Sequence, residues 1–80
     1  MLTELKTAKK VTGAKQVTRA LKGGSARRVF LAEDADPRVT DPVAALCREH
    51  GVETETAPTM VALGEACGIE VKTASAGIKK

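Results

Sequence analysis

Aromatic side chains are almost missing from this 80-residue chain: Phe30 stands alone, with no tryptophan and no tyrosine. Modules that read single-stranded RNA or DNA stack bases on exposed aromatics, and Phe30 sits inside an apolar run, which argues against that mode of binding. No apolar run approaches the roughly 18 residues of a membrane span. Residues 1–12 mix Lys6, Lys9 and Lys10 with Glu4 and lack the apolar stretch of a secretory signal. A soluble, cytoplasmic chain without a membrane partner is expected. Cysteine is scarce too, and Cys47 and Cys67 each fall in an apolar helical pattern, which fits reduced core thiols better than a disulfide framework.

Catalytic patterns are equally thin. The single histidine, His50, lies three residues from Cys47 while Cys67 is distant, giving at most three soft ligands where structural zinc takes four. His50 precedes Gly51 and reads as a helix-end residue with favourable charge. Glu33-Asp34-Ala35-Asp36 has no second acidic cluster to complete a hard-metal site and reads as a strand-to-helix loop before Pro37. Phosphate loop, dinucleotide fingerprint, nucleophile elbow and histidine-based dyad are all lacking. The expectation is a protein without enzymatic activity, metal or cofactor. A thiol-dependent enzyme is the contrary reading, and it would require accessible thiols of lowered pKa.

What is present is one domain spanning residues 1–80, the size at which about 60% of the unfolded surface becomes buried. Leu2, Leu5 and Ala8 space loosely as a short helix, followed near Val11-Thr12-Gly13 by a very short strand. At ~100° per residue, Lys15, Arg19 and Lys22 share one face of the next helix while Val17, Ala20 and Leu21 share the other, and Gly23-Gly24 ends it. Residues 28–32 are, past Arg28, a continuous apolar run, as for a central strand covered on both faces. Thr40 or Asp41 can cap a helix with Pro42 in its first turn and Val43, Leu46 and Cys47 inward, ended by Gly51. Residues 52–56 alternate as a half-exposed strand. Residues 59–67 follow as a helix carrying Met60, Leu63 and Cys67, with Gly68 just past its end. Residues 73–78 close the chain as a strand. This alternation predicts an α/β fold, a three-layer α/β/α sandwich around a small mixed sheet.

Charge is distributed unevenly. Residues 1–28 hold eight Lys/Arg against Glu4 alone, whereas residues 29–80 hold five against nine acids. One end of the chain therefore attracts polyanions. With base stacking disfavoured, the remaining mode is recognition of a folded nucleic acid by charge, a helix N-terminus and a small apolar wedge. Gly13 and Ala14 allow close backbone approach, Lys15, Arg19 and Lys22 can follow phosphates or guanine edges, and Gln16 can donate and accept together.

At these residues the chain resembles the kink-turn-binding ribosomal protein family, the L-seven-Ae group, and most closely its short bacterial members. The resemblance rests on three ordered motifs. These are Gly13-Ala14-Lys15-Gln16-Val17-Thr18-Arg19-Ala20-Leu21, Leu31-Ala32-Glu33-Asp34-Ala35-Asp36-Pro37, and Leu63-Gly64-Glu65-Ala66-Cys67-Gly68-Ile69-Glu70-Val71 with Ala74-Ser75. It implies the same sandwich and the binding of a kink-turn, an RNA bend built on tandem sheared G·A pairs, in ribosomal RNA or a riboswitch. The ribosome would be a further partner and the protein a monomer.

By the same resemblance, Lys15, Gln16 and Arg19 match positions that contact the guanines and nearby backbone. Ile69, Glu70 and Val71 match a loop covering the extruded nucleotide. Asp36 matches an acid that contacts or orients the site, and Met60 a position near the loop. Many archaeal and eukaryotic members carry Asn-Glu where this chain has Lys15-Gln16, so binding here is expected to lean more on phosphate charge. The alternative is a protein-interaction module on the same fold, since fold alone does not fix function.

Overall fold

Residues 28–32 lie at the centre of the molecule, in a strand buried on both faces. The computed structural model describes residues 9–80. Its elements run β1 (Lys10–Thr12), α1 (Ala14–Lys22), β2 (Ala26–Ala32), α2 (Pro37–His50), β3 (Glu53–Ala57), α3 (Met60–Ala66) and β4 (Ser75–Lys79). The helix expected through Leu2, Leu5 and Ala8 falls outside the described residues. The four strands form one mixed sheet in the order β1-β4-β2-β3, with β2 and β3 parallel and β4 antiparallel to both of its neighbours.

Side-chain alternation along β2 divides the core in two. Val29 and the half-buried Leu31 pack with Val17, Ala20 and Leu21 of α1 and with Val43 and Cys47 of α2. Phe30 and Ala32 point the other way, onto Leu63, Ala66 and Cys67 beside α3, with Ala76 and Ile78 of β4. The result is the expected three-layer sandwich: α1 and α2 on one face of the sheet, α3 on the other. Both cysteines are buried and unpaired. Gly77 has a particular part in the layering, since a Cβ there would stand 3.3 Å from Val11 Cγ2 and 3.9 Å from Val17 Cγ2. Its missing side chain lets β1 and α1 settle closely onto β4.

The largest departure from the sequence expectation is the start of α2. It begins at Pro37, not after Thr40 or Asp41, and Asp36 is its N-cap, accepting from the Arg38 amide at 2.9 Å. Asp followed by Pro at the first helical position is a strong start signal, and it outweighs Pro42, which sits inside the helix. Other boundaries move by one or two residues. β2 starts at Ala26, which pairs with Lys79 across a register shift. β3 is displaced by one residue toward Ala57. β4 starts only at Ser75 because Thr73 is engaged elsewhere, its amide on the Met60 carbonyl and its hydroxyl on the Ser75 carbonyl. α3 is capped by Thr59, whose hydroxyl accepts from the Ala62 amide at 3.0 Å, and Gly68 beyond it has φ 76°. His50 is the last residue of α2, before Gly51 in the left-handed conformation.

Candidate nucleic-acid interface

The topology directs three helix N-termini to one rim of the sheet. β1, β2 and β3 each run toward this rim and each is followed by a helix, while β4 starts there. A helix start leaves amide groups without intrahelical partners, and two of the three starts engage some of theirs with side chains. Asp36 caps α2, and Thr59 caps α3 while Asp34 Oδ1 accepts from the Met60 amide at 2.7 Å. α1 differs: its N-cap is Gly13, with no side-chain cap hydrogen bond. The amides at Ala14, Lys15 and Gln16 thus have no acceptor among the described residues and, with the positive end of the helix dipole, are left for an external one.

Gly13 is suited to this position by its backbone. Its φ of 85° and ψ of 152° fall in a region reached essentially only by glycine, and among the described residues no heavy atom beyond its chain neighbours lies within 4 Å of where a Cβ would stand. Gln16 steadies the turn from within α1, its side-chain oxygen accepting from the Thr12 amide at 3.3 Å. That contact leaves the carboxamide NH2 directed to other partners.

Residues 68–74 complete the rim on the other side of β4. The Gly13 amide donates to the Ser75 carbonyl at 2.9 Å, and the Thr73 hydroxyl donates to the same carbonyl at 2.8 Å. The Ala32 amide donates to the Ala74 carbonyl and the Thr73 amide to the Met60 carbonyl, at 2.9 and 3.2 Å. Gly64 fits the loop against α3, since a Cβ there would collide with the Val71 carbonyl. Within the loop Ile69 packs partly into the α3-side core while Glu70 is exposed. Val71 is 69% exposed, an apolar side chain held out in solvent by a well-bonded backbone.

The site residues expected from the sequence are therefore not equally placed. Gly13, Ala14, Lys15, Gln16, Met60, Ile69, Glu70 and Val71 share the rim. Arg19 lies one turn along the exposed face of α1, and Lys22 is at its far end, eight residues or roughly 12 Å from Ala14. Asp36 is on the rim, but its carboxylate is occupied by Arg38, with Nη2 to Oδ2 at 2.7 Å. That pairing holds the Asp36 carboxyl below its ordinary pKa.

Charge sharpens along the same division. The position of β4 between β1 and β2 brings Lys79 and Lys80 beside residues 9–28. These two segments together carry Lys9, Lys10, Lys15, Arg19, Lys22, Arg27, Arg28, Lys79 and Lys80 and no acid, whereas residues 29–74 carry nine acids and three Lys/Arg. A groove of about 340 Å³ runs beside α1 and brings Lys79 to Gln16, Arg19 and Ser25. Lys79 was not singled out by the sequence reading, which counted it with the net-acidic residues 29–80; its place in the sheet was needed to show where it goes.

Comparison with known proteins bears on the chain as a whole. The chain is 43% identical over 68 residues to an RNA-binding protein of Bacillus pumilus, covering 85% of this chain and 83% of that one. It is 42% identical over 74 residues to RNA-binding protein YbxF of Geobacillus stearothermophilus, covering 92% and 90%. Its fold superposes on the Giardia lamblia 15.5kD RNA binding protein with a TM-score of 0.90 at 30% identity, covering 99% of this chain and 70% of the other. With residues 2–80 matching its sequence pattern, the chain belongs to the Ribosomal protein L7Ae/L30e/S12e/Gadd45 family.

Proposed function

We propose that this protein binds RNA and recognises the kink-turn, the bend formed at tandem sheared G·A pairs in ribosomal or other structured RNA. The observation that carries the reading is the bond from Gly13 to Ser75, which sets the uncapped start of a basic helix beside an exposed apolar loop. The two features suit two parts of one target. Outward amides with Lys15, Gln16 and Arg19 suit guanine edges and phosphates in a widened groove, and Val71 with Ile69 suits the face of a nucleotide turned out of the stack. Names of relatives that describe RNA-binding proteins support the broader statement.

The mode of action is selection of a conformation. Free RNA exchanges between open and bent forms, and a protein complementary to the bent one draws the population toward it. With Lys15-Gln16 in place of Asn-Glu, the contact lacks a carboxylate and gains a cation, so phosphate neutralisation carries a larger share of affinity and binding falls more steeply with salt. The role is that of a binding protein, not an enzyme, acting as a monomer in a bacterial cytoplasm on the ribosome or another structured RNA.

Titration into a labelled kink-turn duplex, beside a duplex whose sheared G·A pairs are replaced by Watson–Crick pairs, tests the proposal. Tight binding to the first and weak, salt-sensitive binding to the second is expected, with a rise in energy transfer between dyes placed across the bend. Equal binding to both reduces the basic face to nonspecific charge and favours a protein partner.

A further inference from the structure

The groove beside Gln16 and Arg19 does not end at α1. Lys79 lines it and also lines a second open groove of about 390 Å³, shared with Lys9, Arg27, Ile78 and Lys80 at the opposite end of the sheet from the rim. Main-chain bonds fix this cluster: the Lys79 amide donates to the Lys9 carbonyl and the Lys80 amide to the Ser25 carbonyl, each at 2.8 Å. The cations are thus presented by paired strand ends. Lys9, Lys79 and Lys80 are exposed and none has an acidic partner among the described residues.

We propose that this second groove is a docking surface for the phosphate backbone of one helical arm of the bound RNA, which follows the protein from the bend at the rim along α1 to Lys79 and Lys80. The inference rests on the RNA-binding reading above and extends it to a separate surface. Charge complementarity and continuity with the rim select this occupant. The lining is cationic with Ile78 its one apolar member, which suits a polyanion read by position, without sequence. From Ser75 at the rim to Lys79 is four strand residues, roughly 13 Å. That exceeds the Debye length of about 10 Å at 0.1 M salt, so Lys9 and Lys80 contribute through their own phosphate contacts, while Lys79 also reaches the groove lined by Gln16 and Arg19.

The test compares wild-type protein, K79Q/K80Q and, as a control on the acidic half, R48Q. Each is titrated into kink-turn RNAs with both arms long, with either arm cut back to the pairs beside the bend, and with the Watson–Crick control. Folding of each variant is checked by circular dichroism. On the long-armed RNA, K79Q/K80Q is expected to bind severalfold more weakly, with a log K against log[salt] slope shallower by about 2, near one per lysine. Cutting back one particular arm is expected to abolish the difference from wild type, and R48Q is expected to change little. Wild-type affinity and slope for K79Q/K80Q on the long-armed RNA, in a protein that still prefers the kinked RNA, would overturn this inference alone. An equal loss on every truncated RNA would also overturn it, by placing the lysines at the bend itself. A wild-type protein that does not distinguish the kinked from the Watson–Crick duplex would overturn the underlying reading.

Discussion

The Gly13 amide and the Ser75 carbonyl, 62 positions apart in sequence, meet at 2.9 Å, and the Thr73 hydroxyl closes on the same oxygen. This junction determines how the start of α1 sits relative to the loop of residues 68–74. It brings together the two most distinctive stretches of the sequence, which lie far apart along the chain.

Gly13→Ala tests the junction. Space is available for the methyl group, so the cost is that of the backbone conformation, of order 1–3 kcal/mol. Chemical denaturation should show that loss of stability. RNA affinity should fall further than a control substitution of equal destabilisation predicts, because the helix start is displaced from its place on Ser75.

Gly64 and Val71 separate support of the loop from its exposed tip. Gly64→Ala forces the added methyl into the Val71 carbonyl, and overpacking of this kind costs about 1–3 kcal/mol. It should reduce both stability and binding. Val71→Ala removes a side chain that is 69% exposed, so stability should change by no more than about 0.5 kcal/mol while affinity for an RNA with an extruded nucleotide falls. Unchanged affinity would remove Val71 from the interface.

Much of this arrangement was legible in the sequence because it rests on local rules. The apolar run at residues 28–32, the two-faced pattern of α1 and the glycines at 51 and 68 each mark an element by period or punctuation, and from them the layers follow. The start of α2 was misplaced because two prolines compete: Pro42 resembles a first-turn residue, and only the Asp36 cap shows that Pro37 fills that role. The order of the strands was not legible, since register depends on long-range pairing. With it went Lys79, whose neighbour Arg19 is fixed by β4 lying between β1 and β2. Phe30 on one face of β2 and Val29 on the other were predictable as buried, but not which helix would cover each.

Gln16 and Arg19 carry the prediction about specificity. Both are exposed, and the Gln16 side chain's hydrogen bond among the described residues is 3.3 Å long, to an exposed amide that water can serve equally well. Gln16→Ala and Arg19→Ala should therefore leave the thermal midpoint nearly unchanged. Each should weaken kink-turn binding by about 1–3 kcal/mol if it holds a guanine edge and narrow the preference over the Watson–Crick control. A uniform loss on both RNAs would identify the side chain as a phosphate contact.

The two thiols provide a test of the non-catalytic reading. Burial pushes the pKa of both Cys47 and Cys67 up, with Lys10 opposing the rise at Cys67. The native thiols should react slowly with a thiol-labelling reagent, and both should become reactive together in the unfolding transition. In the alkaline range the folded chain keeps protons that the unfolded chain has lost. The thiol contribution to stability is thus present below the ordinary thiol pKa and lost as pH rises through the raised values. Rapid labelling of either cysteine in native protein at neutral pH would reopen the thiol-enzyme reading.

Asp36 has two candidate roles that substitution can distinguish. Its carboxylate caps α2 and pairs with Arg38, whose guanidinium contributes most to lowering its pKa, followed by the Arg38 amide. A depressed carboxylate stabilises the fold above the ordinary Asp range, and that contribution is lost as pH falls through the lowered value. Asp36→Ala should reduce the thermal midpoint by a few degrees at neutral pH and flatten its fall in acid. Asp36→Asn should retain most of the midpoint, because asparagine caps helices about as well as aspartate. If the acid serves only α2, the asparagine variant should bind kink-turn RNA like the wild type. If it also orients the rim, that variant should lose affinity while keeping its stability, and the pair of readouts assigns the role.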